Sequence, residues 1–514
     1  MTEGTNHMAL RTGAGYLQAL RDGREVYLDG RRVADVTSEP GLSRVAHTFA
    51  KMYDLVIENQ DQWTFRDPQG QPASLNWMQP RTREELTRRR SFTEMIARRT
   101  GGLFGRQQDY VPLFHLGMLD IKQEFSRGDA RFERNIENYW RRAREQDLML
   151  AHSFIDAQAH PGVPLEKTVV PRIVARKPEG IVVRGAKTVA TFTCHADEIL
   201  VGAFPRPGIT EDYVMYFSIP IATPGLRVVA RTVHGQGAAF DHPAGQFGDE
   251  NDCIVIFNDV LVPWERVFSL GEPSFCATVF PRISEWAHWS ILARLAVKAE
   301  VLTGLYSLIP EMLGRGQQPQ SQEALGEIIR YLTSIRAFIH AAEDQGQVTP
   351  EGHYMPNPLY VTAGRAYSVE HYRRIIGYLH DIASQALIII PSEAAFDSPE
   401  VGPTLEKMFE SPSATARERA RVVRLAWDMV CDSYGGRQTL FELFNALPWT
   451  AQRAQLMAGF DIEPYQRLAA ATAGLGSLAE AAASATEAAG RKGRDYKAVG
   501  EAYAAKSAGK TAAR

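Results

Sequence analysis

The sequence has little of what would tie it to a membrane, an oxidising compartment or a nucleic acid. Its four cysteines (Cys194, Cys253, Cys276, Cys431) are scattered, with no CxxC pair. Thiols so placed indicate neither a disulfide framework nor a zinc or other metal site, and a reducing cytoplasm is the expected setting. No window holds the roughly 18 uninterrupted apolar residues of a membrane span. The opening MTEGTNHMALRTG lacks the apolar stretch of a signal peptide. Charge is balanced, 57 Lys and Arg against 60 Asp and Glu, so no basic footprint for nucleic acid or a membrane surface is expected. A dinucleotide fingerprint is missing as well. The G-x-G of TGAGY follows no strand, so the chain offers no evident nicotinamide site.

What is present suffices for a large core. At 514 residues, with 45% hydrophobic and 23% charged, the composition is that of a globular protein of two or three domains. Residues 1–166 read as mainly helical, since SRVAHTFAKMYDLVIEN and ENYWRRAREQDLMLAHSFIDAQ repeat apolar residues at three- and four-residue intervals. Across 167–283 the texture turns to strands. GIVVRGAKTVATF, DYVMYFSIPIA, LRVVART and NDCIVIFNDVLVPW are rich in β-branched and aromatic residues between Pro, Gly and Asp clusters. Residues 284–473 return to helices with single apolar stripes. One stripe runs Leu325, Ile328, Ile329, Leu332, Ile335 and Ile339; another runs Ala416, Ala420, Val423, Trp427, Val430 and Tyr434, with Gly435-Gly436 expected to end that helix. Residues 474–514 are rich in Ala, Gly and Lys and are expected to form a weak helix and a frayed tail. Helices, then strands, then a bundle make an α+β chain with segregated elements.

GGLFGRQQDYVP, Gly101 to Pro112, interrupts the first helical section. Arg106 and Tyr110 lie four apart, so on a helical turn they share a face; alone, the pair also reads as a surface cap with Asp109 as partner. GRQQDY joins RTGAGYLQAL, REQDLMLAHSF, GIVVRGAKTVATFTCHADEIL, FDHPAGQFGDENDCIVIFNDVLVPWERVF and VVRLAWDMVCDSYGGRQ. In order and spacing these resemble the 4-hydroxyphenylacetate 3-monooxygenase family, from about Arg11 to Phe460. Its members are oxygenase components of two-component phenol hydroxylases. The resemblance implies an acyl-CoA dehydrogenase-like fold, with an N-terminal helical domain, a central β-barrel and a C-terminal four-helix bundle. It also implies a homotetramer that receives reduced FAD from a separate NAD(P)H-dependent flavin reductase. Molecular oxygen then adds to the flavin as a hydroperoxide, which hydroxylates a phenol; some relatives attack the para carbon and expel halide or nitrite.

By that resemblance Arg106 and Tyr110 hold the substrate's oxygen and border the flavin. A guanidinium beside a phenolate stabilises the ionised, more reactive ring. His152 would lie between substrate and flavin, with Ser153 and Phe154 following along the cofactor; a His on an apolar helix face is otherwise a packed core residue. Gln158 matches a cofactor contact, although IDAQAHP departs from the family's Asn-Pro-Gln. His288, between Trp286 and Trp289, corresponds to a candidate base for the phenol proton, and an ordinary imidazole pKa of about 6.5 suits that task. Its alternative is a packed helix histidine. Thr191 matches a strand hydroxyl that bonds the flavin ring, and Arg437 would approach flavin or substrate from a neighbouring subunit.

Phe204 and Pro205 fall where the family's substrate-contacting segment carries small hydroxyl residues. AGQFGDE replaces a Ser-Ser-Arg run and NALPWT a Gly-Asp-Pro loop. These departures point to a ring larger or less polar than 4-hydroxyphenylacetate. Three competing readings are weaker. The 4-hydroxybutyryl-CoA dehydratases on the same scaffold bind an iron–sulfur cluster through three Cys and one His, whereas the GRQQDY region has no Cys and Leu295 stands seven residues after His288. A non-catalytic assembly protein has no need of Arg106, Tyr110, His152 and His288 together. An acyl-CoA dehydrogenase needs a carboxylate base that is not evident in the bundle.

Overall fold

The computed structural model describes residues 10–126, 129–157, 163–204, 209–271, 273–445, 449–458 and 460–490. The chain opens with α1 (Gly13–Ala19), the hairpin of β1 (Glu25–Leu28) and β2 (Arg31–Val33), and α2 (Ser43–Glu58). After α3 (Gln60–Trp63) and the hairpin of β3 (Thr64–Arg66) and β4 (Pro72–Ser74) come α4 (Arg83–Arg98), α5 (Tyr110–Asp120), α6 (Lys122–Phe125) and α7 (Ala130–Glu145). Side-chain caps set where several helices begin. Thr12, Thr82 and Asp129 accept the backbone N–H groups of Gly15, Glu85 and Arg131.

The apolar repeat of α7 reads as helix through His152, but the structure ends that helix at Glu145. Asp147 turns the chain with φ +43° and accepts a hydrogen bond from Trp77 Nε1 at 2.8 Å. Leu150–Ser153 is then a strand, β5, buried at every position. A strand buried on both faces is an unbroken apolar run, which periodicity does not separate from a buried helix.

β6 (Arg172–Lys177), β7 (Gly180–Thr191), β8 (Glu198–Gly202), β9 (Met215–Pro220), β10 (Leu226–Ala230), β11 (Asp252–Pro263) and β12 (Val267–Leu270) complete two sheets. Their orders are β2-β1-β10-β11-β7-β6 and β12-β9-β8-β5. Both are open, so the expected β-barrel is corrected: no closed barrel forms among the described residues. Apolar residues of both sheets instead share one core with α1, α2 and α4. β1 runs parallel to β10 and β5 parallel to β8, which sets His152 opposite Leu200.

The helices α8 (Pro273–Met312), α9 (Pro319–Asp344) and α10 (Pro358–Ala383) are long and pack on one another. Ser284, the sequence-derived start of this section, lies inside α8. α11 (Glu393–Phe396), α12 (Gly402–Phe409), α13 (Ala416–Val430), α14 (Ser433–Phe444), α15 (Trp449–Ala458), α16 (Glu463–Thr472) and α17 (Leu478–Gly490) follow, with α13 laid against α8 and α10. Gly435-Gly436 does not end a helix. The break comes earlier, and Asp432 caps α14 by accepting the N–H of Gly435. A Cβ on Gly435 would stand 2.7 Å from the backbone nitrogen of Val430, so this glycine serves the close approach of α14 to the end of α13. No helix among the described residues is long and apolar enough to cross a membrane.

α5, which begins at Tyr110, crosses α8, which carries His288. They meet at Gly117, where an added Cβ would stand 2.7 Å from the Cα and carbonyl oxygen of Ile283. Gly117→Ala is expected to lower stability by about 1–3 kcal/mol through overpacking, outweighing the roughly 1 kcal/mol by which Ala is favoured over Gly in a free helix. The urea midpoint measures this, and an unchanged or raised midpoint would show that the helices part without loss.

Candidate active site

Between the sheets and the helices lies a cavity of about 920 Å³. Its lining includes Arg106, Tyr110, His152, Thr191, His288 and Arg437, with Phe154 and Phe204 beside them. The structure thus brings most of the sequence-selected residues to one place. Ser153 is the exception among those described. It is fully buried, and its hydroxyl donates to the Thr188 carbonyl at 3.1 Å, fastening β5 to β7. Gln158 and Pro205 lie outside the described residues.

Arg106 does not share a helical turn with Tyr110, as the four-residue spacing suggested. It sits in the turn ahead of α5, and Tyr110 is the first residue of that helix. The two meet because the guanidinium lies over the phenol ring, 4.2 Å from its centroid, and over Phe441 at 4.9 Å. Gly105 permits this, since a Cβ there would fall 1.9 Å from the Phe441 ring. The backbone N–H of Arg106 donates to Glu250 Oε1 at 2.7 Å, and its Nη2 donates to the Asn445 carbonyl at 2.9 Å. Its Nη1 is buried and has no partner among the described residues. Leaving such a donor unmade costs about 1–3 kcal/mol, and more for a charged group, unless an acceptor arrives.

Aromatic rings close the surroundings. Phe114 stands one turn along α5 from Tyr110, edge-on at 5.3 Å, and stacks on the His152 imidazole at 5.2 Å. Burial, reinforced by the charge of Arg106, holds the His152 imidazole well below its ordinary pKa, so it is neutral at neutral pH. Burial raises the Tyr110 phenol, with Arg106 opposing, so it keeps its proton.

A second cluster is built by the register of β7 and β11, which pairs Thr191 with Asp252. Thr191 Oγ1 donates to Asp252 Oδ1 at 2.9 Å. Arg437 lines this chain's own cavity. It forks onto Asp252 through Nε and Nη2 at 2.9 and 2.7 Å and reaches Glu250 through Nη1. The register of β7 shifts just before this pair, and Val189 there takes φ +55°. That backbone is costly for a β-branched residue. It leaves Val189 54% exposed, facing the cavity that it lines.

His288 is buried on α8, and its Nδ1 lies 2.6 Å from Nη1 of Arg365 on α10. Arg365 and Asp252 escaped the sequence reading. Asp252 is found by aligning β11 against Thr191, whereas Arg365 belongs to no motif and comes close only through helix packing. Phe114 also escaped it, although it stands four residues after Tyr110.

Beneath the cavity Arg294 grips Glu442 through both terminal nitrogens, with Lys298 at 2.9 Å from the same carboxylate. Lys298 also donates to Gln438, and Gln438 to the Leu103 carbonyl, so α14 and the Arg106 loop are tied to α8. Burial alone would raise the Glu442 carboxyl; Arg294 and Lys298 outweigh it and hold it at about 2.

Models of the N-terminal and C-terminal parts of 4-hydroxyphenylacetate 3-hydroxylase match residues 12–269 and 276–474. The oxygenase component of the 4-nitrophenol 4-monooxygenase/4-nitrocatechol 2-monooxygenase of Rhodococcus opacus is 34% identical over 497 residues, covering 93% of this chain and 94% of that one. The 4-hydroxyphenylacetate 3-monooxygenase oxygenase component of Thermus thermophilus is 34% identical over 469 residues, covering 89% and 96%. Among solved structures, the oxygenase component of 4-hydroxyphenylacetate 3-monooxygenase complexed with FAD and 4-hydroxyphenylacetate matches with a TM-score of 0.85 at 32% identity, covering 90% of this chain and 98% of that one.

Glu442→Gln leaves Arg294 and Lys298 buried without their counter-charge and is expected to cost about 3–5 kcal/mol in urea unfolding at neutral pH. Because the native carboxyl is depressed to about 2, its contribution is complete above the ordinary carboxyl pKa of about 4.3 and fades as pH falls toward the native value. The gap between the two proteins should therefore narrow below about pH 4.3. A gap independent of pH would remove the ion pair from the explanation.

Proposed function

The chain belongs to the 4-hydroxyphenylacetate 3-hydroxylase family, and on that footing we propose that it is the oxygenase component of a two-component monooxygenase, taking reduced FAD and molecular oxygen to hydroxylate a phenolic ring. The observation that carries this is the buried Nη1 of Arg106, without a partner among the described residues, beside Tyr110 in an aromatic cavity. One cation short of an acceptor suits one ionised phenol oxygen.

The cavity also fits the cofactor. Its volume of about 920 Å³ is near the upper end for small-molecule sites, enough for a tricyclic ring beside a phenol. Val189, Leu440 and Phe444 line it while remaining 54%, 58% and 53% exposed, apolar surface that a flat ring system would cover. Thr191, whose hydroxyl donates its hydrogen bond to Asp252, keeps lone pairs for a ring N–H, and Arg437, Ser153 and Phe154 flank or brace the same wall.

Reduced FAD supplies, with oxygen, the electrons and the atom transferred. The residues of this chain do the rest. Arg106 binds the phenolate oxygen and holds it ionised, which enriches the ring at its ortho and para carbons. Tyr110, kept protonated, is a donor to the same oxygen. His152 stays neutral, so it adds no competing charge. Phe154 and Phe204 orient the ring and, with the other apolar groups, keep water from diverting the oxygen to hydrogen peroxide. Electrons arrive through a flavin reductase that uses NAD(P)H, consistent with the missing nicotinamide fingerprint. We extend the reading to a homotetramer, supported by the exposed apolar residues Met457 on α15 and Ile462 just ahead of α16, neither of which lines the cavity. Para attack with loss of nitrite or halide uses the same phenolate grip, and the likeness to the Rhodococcus opacus nitrophenol enzyme favours keeping it as the second reading.

Arg106→Ala is expected to lower hydroxylated product by about 10²–10³-fold while oxygen consumption continues as hydrogen peroxide. Product by mass and peroxide by a coupled assay, with a generic flavin reductase and a panel of phenols, nitrophenols and halophenols, measure both. Unchanged coupling in the variant would remove Arg106 from substrate binding.

A further inference from the structure

The family resemblance casts His288 as a base for the phenol proton, and the geometry around it says otherwise. Its Nδ1 lies 2.6 Å from Arg365 Nη1, with the two residues only 4% and 2% exposed. A guanidinium carries N–H donors and no acceptor, and it does not deprotonate in proteins. Nδ1 must therefore present its lone pair, and the ring proton sits on Nε2. An imidazolium would point an N–H at another N–H and set two positive charges side by side in a buried site.

The contact is built into the helix packing. Arg365 lies on the buried face of α10 with Val361, Thr362 and Ser368. α10 comes close because residue 364 is glycine, where a Cβ would stand 2.8 Å from Phe338 Cβ and 3.0 Å from Leu292. Among the described residues, Arg365 from α10 is in contact with His288, Glu285 lies one turn back on α8, and Arg106, Tyr110 and His152 line the same cavity. The charge of Arg365 is felt at Tyr110 as well.

Resting on the phenol reading of the cavity, we propose that Arg365 is a positioning residue that fixes His288 as the neutral Nε2–H tautomer, so that His288 donates a hydrogen bond to the phenolate oxygen and does not take up its proton. The phenol O–H bond breaks with its electron pair left on oxygen, and the proton leaves to a buffer base in the medium. If His288 were the base, that proton would stay in the complex as imidazolium.

The two cases differ in where the proton goes, which can be read without turnover. Binding of 4-nitrophenol to the full-length protein with reduced FAD under nitrogen is followed by its visible absorbance, which reports ionisation. Calorimetry in buffers of different ionisation heat, below the dye's own pKa, counts protons released. The expected result is a bound coloured anion with about one proton released per site. His288→Gln keeps an N–H donor and should retain both signals. His288→Leu should weaken anion binding by about tenfold or more, the loss of a hydrogen bond to a charged group. Arg365→Lys keeps a donor to Nδ1 and should behave as the parent. Arg365→Met frees Nδ1 to accept a proton, so the anion should still bind while release falls toward zero. A coloured complex that releases no proton in the parent protein would overturn the tautomer assignment and leave the phenol reading intact. A dye that does not bind, or binds colourless, would remove both; the parent measurement decides this even if the Arg365→Met protein does not fold.

Discussion

Arg106 is charged, nearly buried and, among the described residues, one hydrogen bond short, and much of the surrounding structure serves to keep it so. Glycine at 105 lets the Phe441 ring lie against the guanidinium, and Tyr110 faces it from the other side. Ring faces and a single carbonyl soften the cost of holding a cation away from water without neutralising it. The acids that would neutralise it are engaged elsewhere. Glu250 and Asp252 hold Arg437, Asp249 holds Arg231, and Glu442 holds Arg294 and Lys298. Glu250 is shared, since one oxygen takes the Arg106 backbone N–H while the other takes Arg437. The carboxylate that orients the loop is thereby kept from the guanidinium it orients.

Such an arrangement requires rigid supports, and they come from three separate stretches of chain. α14 brings Phe441 and Arg437, and its buried face is anchored to α8 by the Arg294–Glu442–Lys298 cluster. The sheets bring Thr191, Asp252 and His152 through backbone register, which leaves little freedom to the side chains. α8 and α10 bring His288 and Arg365. A displacement of any one support would reach the others through shared partners, so the cavity is expected to hold its shape or lose it as a unit.

The order of helical, strand-rich and helical sections was legible in the sequence because long stripes and β-branched runs are strong local signals. Of the cavity lining, Arg106, Tyr110, His152, Phe154, Thr191, Phe204, His288 and Arg437 were legible too, but through family resemblance, since spacing alone could not tell a substrate ligand from a surface cap. What escaped was decided by tertiary contact. β5 reads as helix because both of its faces are buried. Gly435-Gly436 reads as a stop because close helix packing and chain termination both select glycine. Arg437 gives no local sign of its partners, because Glu250 and Asp252 lie on a strand nearly two hundred residues away and its preceding loop. Arg365 carries no local mark of its role at all.

The parallel pairing of β1 with β10 joins Glu25 to Arg227 and Leu28 to Ala230. During synthesis the first strand therefore emerges long before its neighbour, with only the short β2 beside it. Until β10 leaves the ribosome, one edge of β1 offers unpaired amides, and closing that gap fixes a loop of great length late in folding. The sheet that bears Thr191 and Asp252 thus cannot be completed from an N-terminal fragment, and the sheltered pocket is a product of the whole chain.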